Sequence, residues 1–481
     1  MFAQTGTTID GTSGANGSIF EEKQQPAKCR DPIFAVLFYV NLCVIIAIAA
    51  IFGMSPFIAP EDDANNQGNA DGDAVNYTPF LYTAAICGVV GLILSCLALN
   101  VLMCIPGFLV KAALIGNLVL TLAMAIVAVM FGSIAVAIFA FIGFAICACY
   151  TYCIWSRIPF ATANLKTGCS AIRSNCGVTL IAYGDVVAAF AWTLLWTVAL
   201  LGIQDSIVTC EEVNGEQQCG GINYLYLFLL FISYFFTHQV LQNVLHTTIA
   251  GVVGTWWFAP DEVGCCGKAV CGSLYRSLTT SFGSICFGSL IVAIIEALRQ
   301  IVETARSNEE LGGALACCID CILGCIQGLV EYFNKWAYVY VGLYGFGYCE
   351  AGKNVMQLFR DRGWEALIAD DIVSTVLFLV AFVCGLITAG IGVLLGEFTG
   401  WFKEIVAGFG DDGLVIVRIL CGVIGFIIGL ALCMIIMGVI SSSVNATIVL
   451  FAEAPAEFEA NYPELSSEMR DAYMVAHPGC I

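Results

Sequence analysis

Three polar side chains that could bind a solute fall within one apolar segment of the chain. Gln239, Asn243 and His246 are spaced at i, i+4 and i+7, which places them along one side of a helix. Amide and imidazole groups in the middle of a membrane span are costly, and they mark either a solute pathway or hydrogen bonds between helices. The spacing leaves both interpretations open. We expect the three to line a central cavity, because turning this face to lipid would be strongly unfavourable.

Aromatic side chains that follow a carboxylate indicate which kind of solute would bind. Trp192 and Trp196 come seven and eleven residues after Asp185 in one predicted helix. A quaternary ammonium ion is attracted to aromatic faces, so this pattern suits an organic cation. Anchoring at the membrane interface is the alternative explanation for the tryptophans. Asp185, Glu296 and Arg418 also lie near the ends of predicted spans, where ionisable side chains commonly extend to the interface.

The predicted substrate site combines aromatic faces with amide and imidazole groups from several spans. Its residues are Trp192, Trp196, Tyr234, Gln239, Asn243, His246 and Tyr344. Such a site would take a small organic cation without a cofactor or a metal. His246 is the predicted proton-sensitive element, since the pKa of an unperturbed histidine is about 6.5.

Motifs for catalysis or metal binding are weak. The cysteines from Cys317 to Cys325 fall at helical spacing without the separated pairs or histidines of a zinc site, so palmitoylation or apolar packing is favoured. Gly408 to Gly413 matches a dinucleotide pattern, but no strand precedes it. The chain has three histidines, no Walker A motif and no nucleophile elbow. We therefore do not expect an enzyme.

The composition indicates that these residues lie in a protein embedded in a membrane. The 481 residues are 59% hydrophobic and 11% charged, with a mean hydropathy of +0.89. Windows of about 20 apolar residues recur, and a lipid-exposed backbone must satisfy its own hydrogen bonds, so each window is a helix. The fold class is therefore an all-α polytopic membrane protein. The ten predicted spans are Ile33–Met54, Phe80–Ile105, Phe108–Met130, Ser133–Trp155, Val178–Ile203, Asn223–Phe258, Thr279–Gln300, Trp336–Leu358, Ile372–Gly396 and Leu414–Ile440.

Basic residues predict the orientation, because Lys and Arg are retained on the cytoplasmic side of short loops. They cluster in alternate segments, which places both termini in the cytoplasm. The predicted organisation is a polar tail (1–32), a transmembrane transporter domain (33–440) with outer loops 55–79, 204–222 and 397–413, and an acidic tail (441–481). The placement of segment 301–335 is left open.

Two features of the predicted outer loops agree with this orientation. Asn76 begins an N-glycosylation acceptor in the first loop. Cys210 and Cys219 lie in the polar loop 204–222, where an oxidising environment would permit a disulfide. We predict that they are bonded to each other.

The net charge of −19 does not indicate a nucleic-acid partner. Its acidic residues lie mainly in the predicted outer loops and the C-terminal tail, where they solvate the loops. The 18 Lys and Arg residues are scattered singly rather than forming a basic patch. The expected partners are membrane lipids and a small organic cation.

Several segments resemble the choline transporter-like family, and in particular its pH-nine-sensitive branch. They occur in order at residues 157–161 (RIPFA), 246–258 (HTTIAGVVGTWWF), 278–299 (LTTSFGSICFGSLIVAIIEALR), 333–345 (FNKWAYVYVGLYG), 451–455 (FAEAP) and 463–465 (PEL). The resemblance implies a ten-helix transporter with cytoplasmic termini and an extracellular loop after the first helix. The plasma membrane is the expected location. Better-characterised members carry choline or related ethanolamine compounds. The first outer loop here is shorter than in animal members.

Two classes of function follow, a transporter and a membrane scaffold. The leading hypothesis is a transporter of choline-like cations that works by alternating access around a site near the membrane midplane. The alternatives are transport of another small solute, or a non-transporting membrane scaffold whose buried polar groups serve packing alone. Uptake of labelled choline separates them.

Overall fold

The computed structural model describes residues 23–26, 28–52, 78–132, 134–203, 207–213, 216–307, 312–362, 365–403, 406 and 413–476. Its helices are α1 Pro32–Phe52, α2 Thr78–Cys104, α3 Pro106–Phe131, α4 Ile134–Ile154, α5 Ile158–Ser174, α6 Gly177–Gly202, α7 Tyr224–Phe258, α8 Lys268–Leu278, α9 Phe282–Ser307, α10 Gly313–Tyr344, α11 Tyr348–Arg362, α12 Glu365–Phe398, α13 Gly413–Glu453, α14 Pro455–Asn461 and α15 Pro463–Ala476. Two strands, β1 Val208–Val213 and β2 Glu216–Ile222, pair antiparallel between α6 and α7.

Ten of the described helices are long and apolar enough to cross a membrane, namely α1, α2, α3, α4, α6, α7, α9, α10, α12 and α13. Large apolar side chains on their outer faces are exposed, among them Phe131 and Ile134 at 82% and Phe139 at 74%. So much exposed apolar surface is unfavourable in water and favourable against lipid tails. The predicted fold class, an all-α polytopic membrane protein, is confirmed.

The eighth span differs from the prediction. It is α10, which begins at Gly313 rather than at Trp336 and ends at Tyr344, where Gly345 takes a left-handed backbone conformation (φ 76°). Charged residues inside α10 lower its hydropathy, so a prediction from hydropathy misses the first half of this helix. They have partners: Arg299 of α9 donates to Asp320 at 2.8 Å. The polar helix α11 follows as a separate element.

Glycines bring the two longest apolar helices of the C-terminal half into close contact. A Cβ atom on Gly392 of α12 would overlap the carbonyl oxygen of Cys421, and one on Gly425 of α13 would overlap that of Thr388. Small residues allow this approach where no hydrophobic effect drives helices together. In the sequence, Gly392 and Gly396, like Gly425 and Gly429, lie four residues apart within apolar segments, and this spacing predicts such packing.

Both described ends of the chain lie on one side of the bundle, here called the terminal side. Lys23 forms an ion pair with Glu453 at 2.7 Å, and the hydroxyls of Tyr340 and Tyr344 also donate to Glu453. The helix α13 continues to Glu453 instead of ending near the predicted Ile440. An even number of spans requires this arrangement of the ends.

Aromatic stacking fixes the C-terminal helices on the terminal side. The ring of Trp257 at the end of α7 stacks on Phe458 of α14 with centroids 4.0 Å apart. Trp256 stacks on Tyr462 at 4.1 Å. The acidic tail is thus folded against the bundle over the part that the structure describes.

Cysteines occur in pairs on both sides of the bundle. On the terminal side the sulfur atoms of Cys176, just before α6, and Cys265, after α7, lie next to each other. On the opposite side the β1–β2 hairpin brings Cys210 and Cys219 together as register partners. Their disulfide stays a prediction, and the glycosylation acceptor Asn76 lies outside the described residues.

Candidate functional site

A cavity of about 680 Å³ lies between α6, α7, α9, α10 and α13. Small-molecule sites typically enclose about 300–1,000 Å³, so the volume suits a small solute. Its polar lining includes Asp185, Gln239, Asn243, His246, Glu296 and Glu331. The cavity therefore joins the polar face of α7 to carboxylates from three neighbouring helices.

Three carboxylates, here called the acidic wall, line the cavity: Asp185, Glu296 and Glu331. Glu296 accepts hydrogen bonds from Gln239 Nε2 at 3.1 Å and from Gln327 Nε2 at 3.2 Å. Gln327 Nε2 also donates to Glu331 at 2.7 Å. Amide donors from α7 and α10 thus fix the position of Glu296, which lies on α9.

Lys335 is the one lysine or arginine among the described residues that line the cavity. Its ammonium donates to both carboxylate oxygens of Asp370 on α12, at 2.6 and 2.7 Å. Asp370 is buried, so the lysine charge is largely neutralised where it lies. Among the described residues that line the cavity, no cationic side chain is consequently left to balance the acidic wall.

His246 connects three helices at the other end of the polar face of α7. Its Nε2 lies 2.9 Å from the carbonyl oxygen of Lys335, and its Nδ1 lies 2.7 Å from Ser442 Oγ on α13. A carbonyl oxygen can only accept, so Nε2 carries the proton and donates. A neutral ring then accepts from the Ser442 hydroxyl through Nδ1. The side chain therefore links α7 to α10 and α13.

Asn445 follows Ser442 by one helical turn on α13 and also lines the cavity. The residue is buried, with 1% of its surface exposed. Its Oδ1 atom has no hydrogen-bond partner among the described residues. Buried polar groups are nearly always paired, so this free acceptor is an uncommon feature of the cavity.

A family model described as plasma-membrane choline transporter matches residues 138–456. This stretch is more than half of the chain and includes all five helices that line the cavity. The chain belongs to the choline transporter-like family. The resemblance seen in the sequence is thereby confirmed.

Curated relatives extend the match over nearly the whole chain. Protein PNS1 of Mycosarcoma maydis is 31% identical over 463 residues, which cover 94% of this chain and 85% of that protein. A CTL-like protein of Dictyostelium discoideum is 30% identical over 380 residues, covering 78% and 66%. Protein PNS1 of Saccharomyces cerevisiae is 28% identical over 492 residues, covering 96% and 88%. A transporter-like membrane protein is the role that this choline transporter-like membership supports.

Of the seven predicted site residues, three line the cavity of this choline transporter-like chain: Gln239, Asn243 and His246. Asn243 Nδ2 donates to Ser289 Oγ on α9 at 3.0 Å. Each of the three thus forms a hydrogen bond to another helix as well as lining the cavity. The two interpretations of this face, solute pathway and helix contact, do not exclude each other.

The four predicted aromatic residues do not surround this cavity. Trp192 Nε1 donates to the carbonyl oxygen of Tyr234 at 3.3 Å, and Trp196 Nε1 donates to that of Leu230 at 3.0 Å. Both indoles are buried between α6 and α7, where Trp196 packs on the Tyr234 ring at 4.9 Å. Tyr344 lies on the terminal side against Glu453. The expectation that all seven enclose one cavity is therefore corrected, because these polar groups are engaged elsewhere.

Within the acidic wall, Glu296 is the residue that the sequence analysis placed near the membrane interface. Glu296 seemed close to the interface because the predicted span ended at Gln300, whereas α9 continues to Ser307. The Lys335 to Asp370 pairing was also missed. For Glu296 the sequence contained a signal: Gln239 and Glu296 both fall inside apolar segments, where each can form a hydrogen bond to the other.

Proposed function

We propose that this protein transports a small organic cation, choline or a close relative, across the membrane. The substrate would occupy the central cavity, with its ammonium group against the acidic wall. Gln239, Asn243 and His246 would provide polar contacts along α7. Trp192, Trp196, Tyr234 and Tyr344 would support the helices rather than contact the substrate.

One observation carries the proposal: the charge balance of the cavity. Asp185, Glu296 and Glu331 line it, while Lys335 is already paired with Asp370. Ionisable groups inside a membrane are expensive and mark the paths of charged solutes. A fixed cation such as choline would offset the negative charge without a proton or a metal.

Alternating access would open the cavity to one side of the membrane at a time. On the terminal side the ion pair between Lys23 and Glu453, with the tyrosines Tyr340 and Tyr344, ties the N-terminal segment to α10 and α13. We infer that these contacts close the terminal side, and that they separate when the cavity opens there. The basic residues of the sequence favour the cytoplasm as the location of this side.

The plasma membrane is the proposed location, in keeping with the description of the matching family model. An inside-negative potential favours cation uptake by about 2.3 kcal/mol per charge for each 100 mV. Facilitated transport therefore needs no ATP to accumulate a cation.

Uptake of radiolabelled choline into proteoliposomes tests the proposal. We expect saturable uptake above that of protein-free vesicles, and faster uptake when a potassium gradient makes the interior negative. A membrane scaffold would leave uptake at the level of empty vesicles. Competition by unlabelled ethanolamine, betaine and a neutral alcohol would then define the preferred charge of the solute.

A further inference from the structure

The cavity has two chemically different ends. Glu296 and its partner Gln239 belong to the acidic end, while His246, Ser442 and Asn445 form an end without net charge, here called the neutral end. Gln239 and His246 are seven residues apart on α7, which corresponds to about 10 Å along the helix axis. A ligand that touches both ends must therefore carry two different groups.

The neutral end contains a buried amide oxygen that has no hydrogen-bond partner. The Oδ1 atom of Asn445 has no partner among the described residues, and only 1% of the residue surface is exposed. The nearby His246 and Ser442 already bond to each other. An unpaired acceptor at a cavity wall is unfavourable when empty, and it discriminates in favour of a ligand that donates to it.

We propose that Asn445 binds the hydroxyl group of the transported cation and makes the site selective for hydroxyl-bearing ammonium compounds. This inference rests on the function proposed above. The ammonium group contacts the acidic wall, and the Asn445 side chain rotates toward the cavity so that the hydroxyl donates to its Oδ1. An ion contact of about 4–6 Å, a linker of three single bonds and a hydrogen bond of about 2.8 Å together match the separation of the two ends.

The chain contains a matched control for this residue. Asn164 on α5 is also fully buried, and its Oδ1 also has no partner among the described residues. Its Nδ2 donates to the carbonyl oxygen of Phe160 at 2.9 Å, and it does not line the cavity. Asn164→Ala therefore tests the effect of removing a buried amide without changing the neutral end.

The experiment compares uptake of choline with uptake of propyltrimethylammonium, in which a methyl group replaces the hydroxyl. We expect wild-type protein in proteoliposomes to prefer choline by about three- to tenfold in kcat/KM, the range expected for one hydrogen bond. Asn445→Ala should bring the ratio close to one. Asn164→Ala should keep the wild-type ratio. Glu296→Gln should lower kcat/KM for both cations and leave their ratio unchanged.

The ratio is measured within one preparation, so it does not depend on how much of a variant is folded. Asn445→Ser, which retains a smaller acceptor, should give an intermediate ratio and serves if the alanine variant is not recovered. Equal uptake of the two cations by wild type would overturn the inference, as would an unchanged ratio in both Asn445 variants or a lost ratio in Asn164→Ala. Absence of uptake for either cation would instead contradict the proposed function.

Discussion

At the scale of single residues, Glu296 is the carboxylate that the cavity holds most firmly. Two amide donors fix it, from Gln239 and Gln327. Glu296→Gln retains the size of the side chain and removes its charge. We expect the KM for choline uptake to rise about ten- to a hundredfold, since an interaction with a charged group contributes roughly 1.5–3 kcal/mol. Initial rates over a range of choline concentrations measure this.

Glu303→Gln is the control for that substitution. Glu303 lies two turns further along α9, pairs with Arg306 at 3.3 Å and is not part of the cavity lining. The KM of the Glu303→Gln variant for choline uptake should equal that of wild type. A KM left unchanged by Glu296→Gln would show that the acidic wall does not contact the substrate.

The periodicity of α7 predicts the cavity residues Gln239, Asn243 and His246, because one face of a helix is visible in a sequence. The position of Trp192 and Trp196 is not predictable in the same way. Their indole N–H groups bond to backbone carbonyls of α7. Whether an aromatic ring meets a solute or a neighbouring helix depends on the packing of two helices, which local spacing does not contain.

At the scale of elements, the β1–β2 hairpin tests the orientation of the bundle. The backbone register pairs Cys210 with Cys219 on the side opposite the termini. We expect peptide mapping of the non-reduced protein to find these two cysteines bonded to each other. An oxidising exterior on this side would maintain the bond.

Cys266 and Cys271 provide the comparison within the same digest, since the structure places both as free, exposed thiols on the terminal side. They should react with an alkylating reagent without prior reduction. Free Cys210 and Cys219 would contradict the disulfide and remove one argument for the orientation.

Most spanning helices are predictable from hydropathy alone, but α10 is not. Asp320, Glu331 and Lys335 interrupt its apolar sequence. Asp320 is paired with Arg299 of α9 and Lys335 with Asp370 of α12, whereas Glu331 accepts from Gln327 on α10 itself. An average of hydropathy over a window includes the unfavourable contribution of each charged residue, but it does not include the partner that neutralises the charge in the folded protein. The three-dimensional pairing therefore decides where this span begins.

At the scale of the whole molecule, the terminal side is held together by contacts between distant parts of the chain. The Lys23 side chain is 40% exposed, whereas that of Glu453 is 3% exposed. Lys23→Ala would leave a buried carboxylate without its cation. We expect a lower midpoint of thermal unfolding in detergent, equivalent to about 1–2 kcal/mol after allowance for the exposure of the lysine.

Lys28→Ala is the matched substitution in the same segment, because Lys28 is exposed. It should leave the midpoint unchanged. Equal midpoints for Lys23→Ala and wild type would mean that the N-terminal segment does not stabilise the terminal side.

The length of α13 has a mechanical consequence. Its 41 residues form a rod of about 60 Å, roughly twice the thickness of the hydrocarbon core. One rod thus carries the glycine contact with α12, the neutral end of the cavity and the carboxylate of Glu453. Tilting it by about 10° around its middle would displace each end by about 5 Å, as with any lever of that length. A probe attached to α14, well outside the bilayer, would then register small rearrangements around a bound solute.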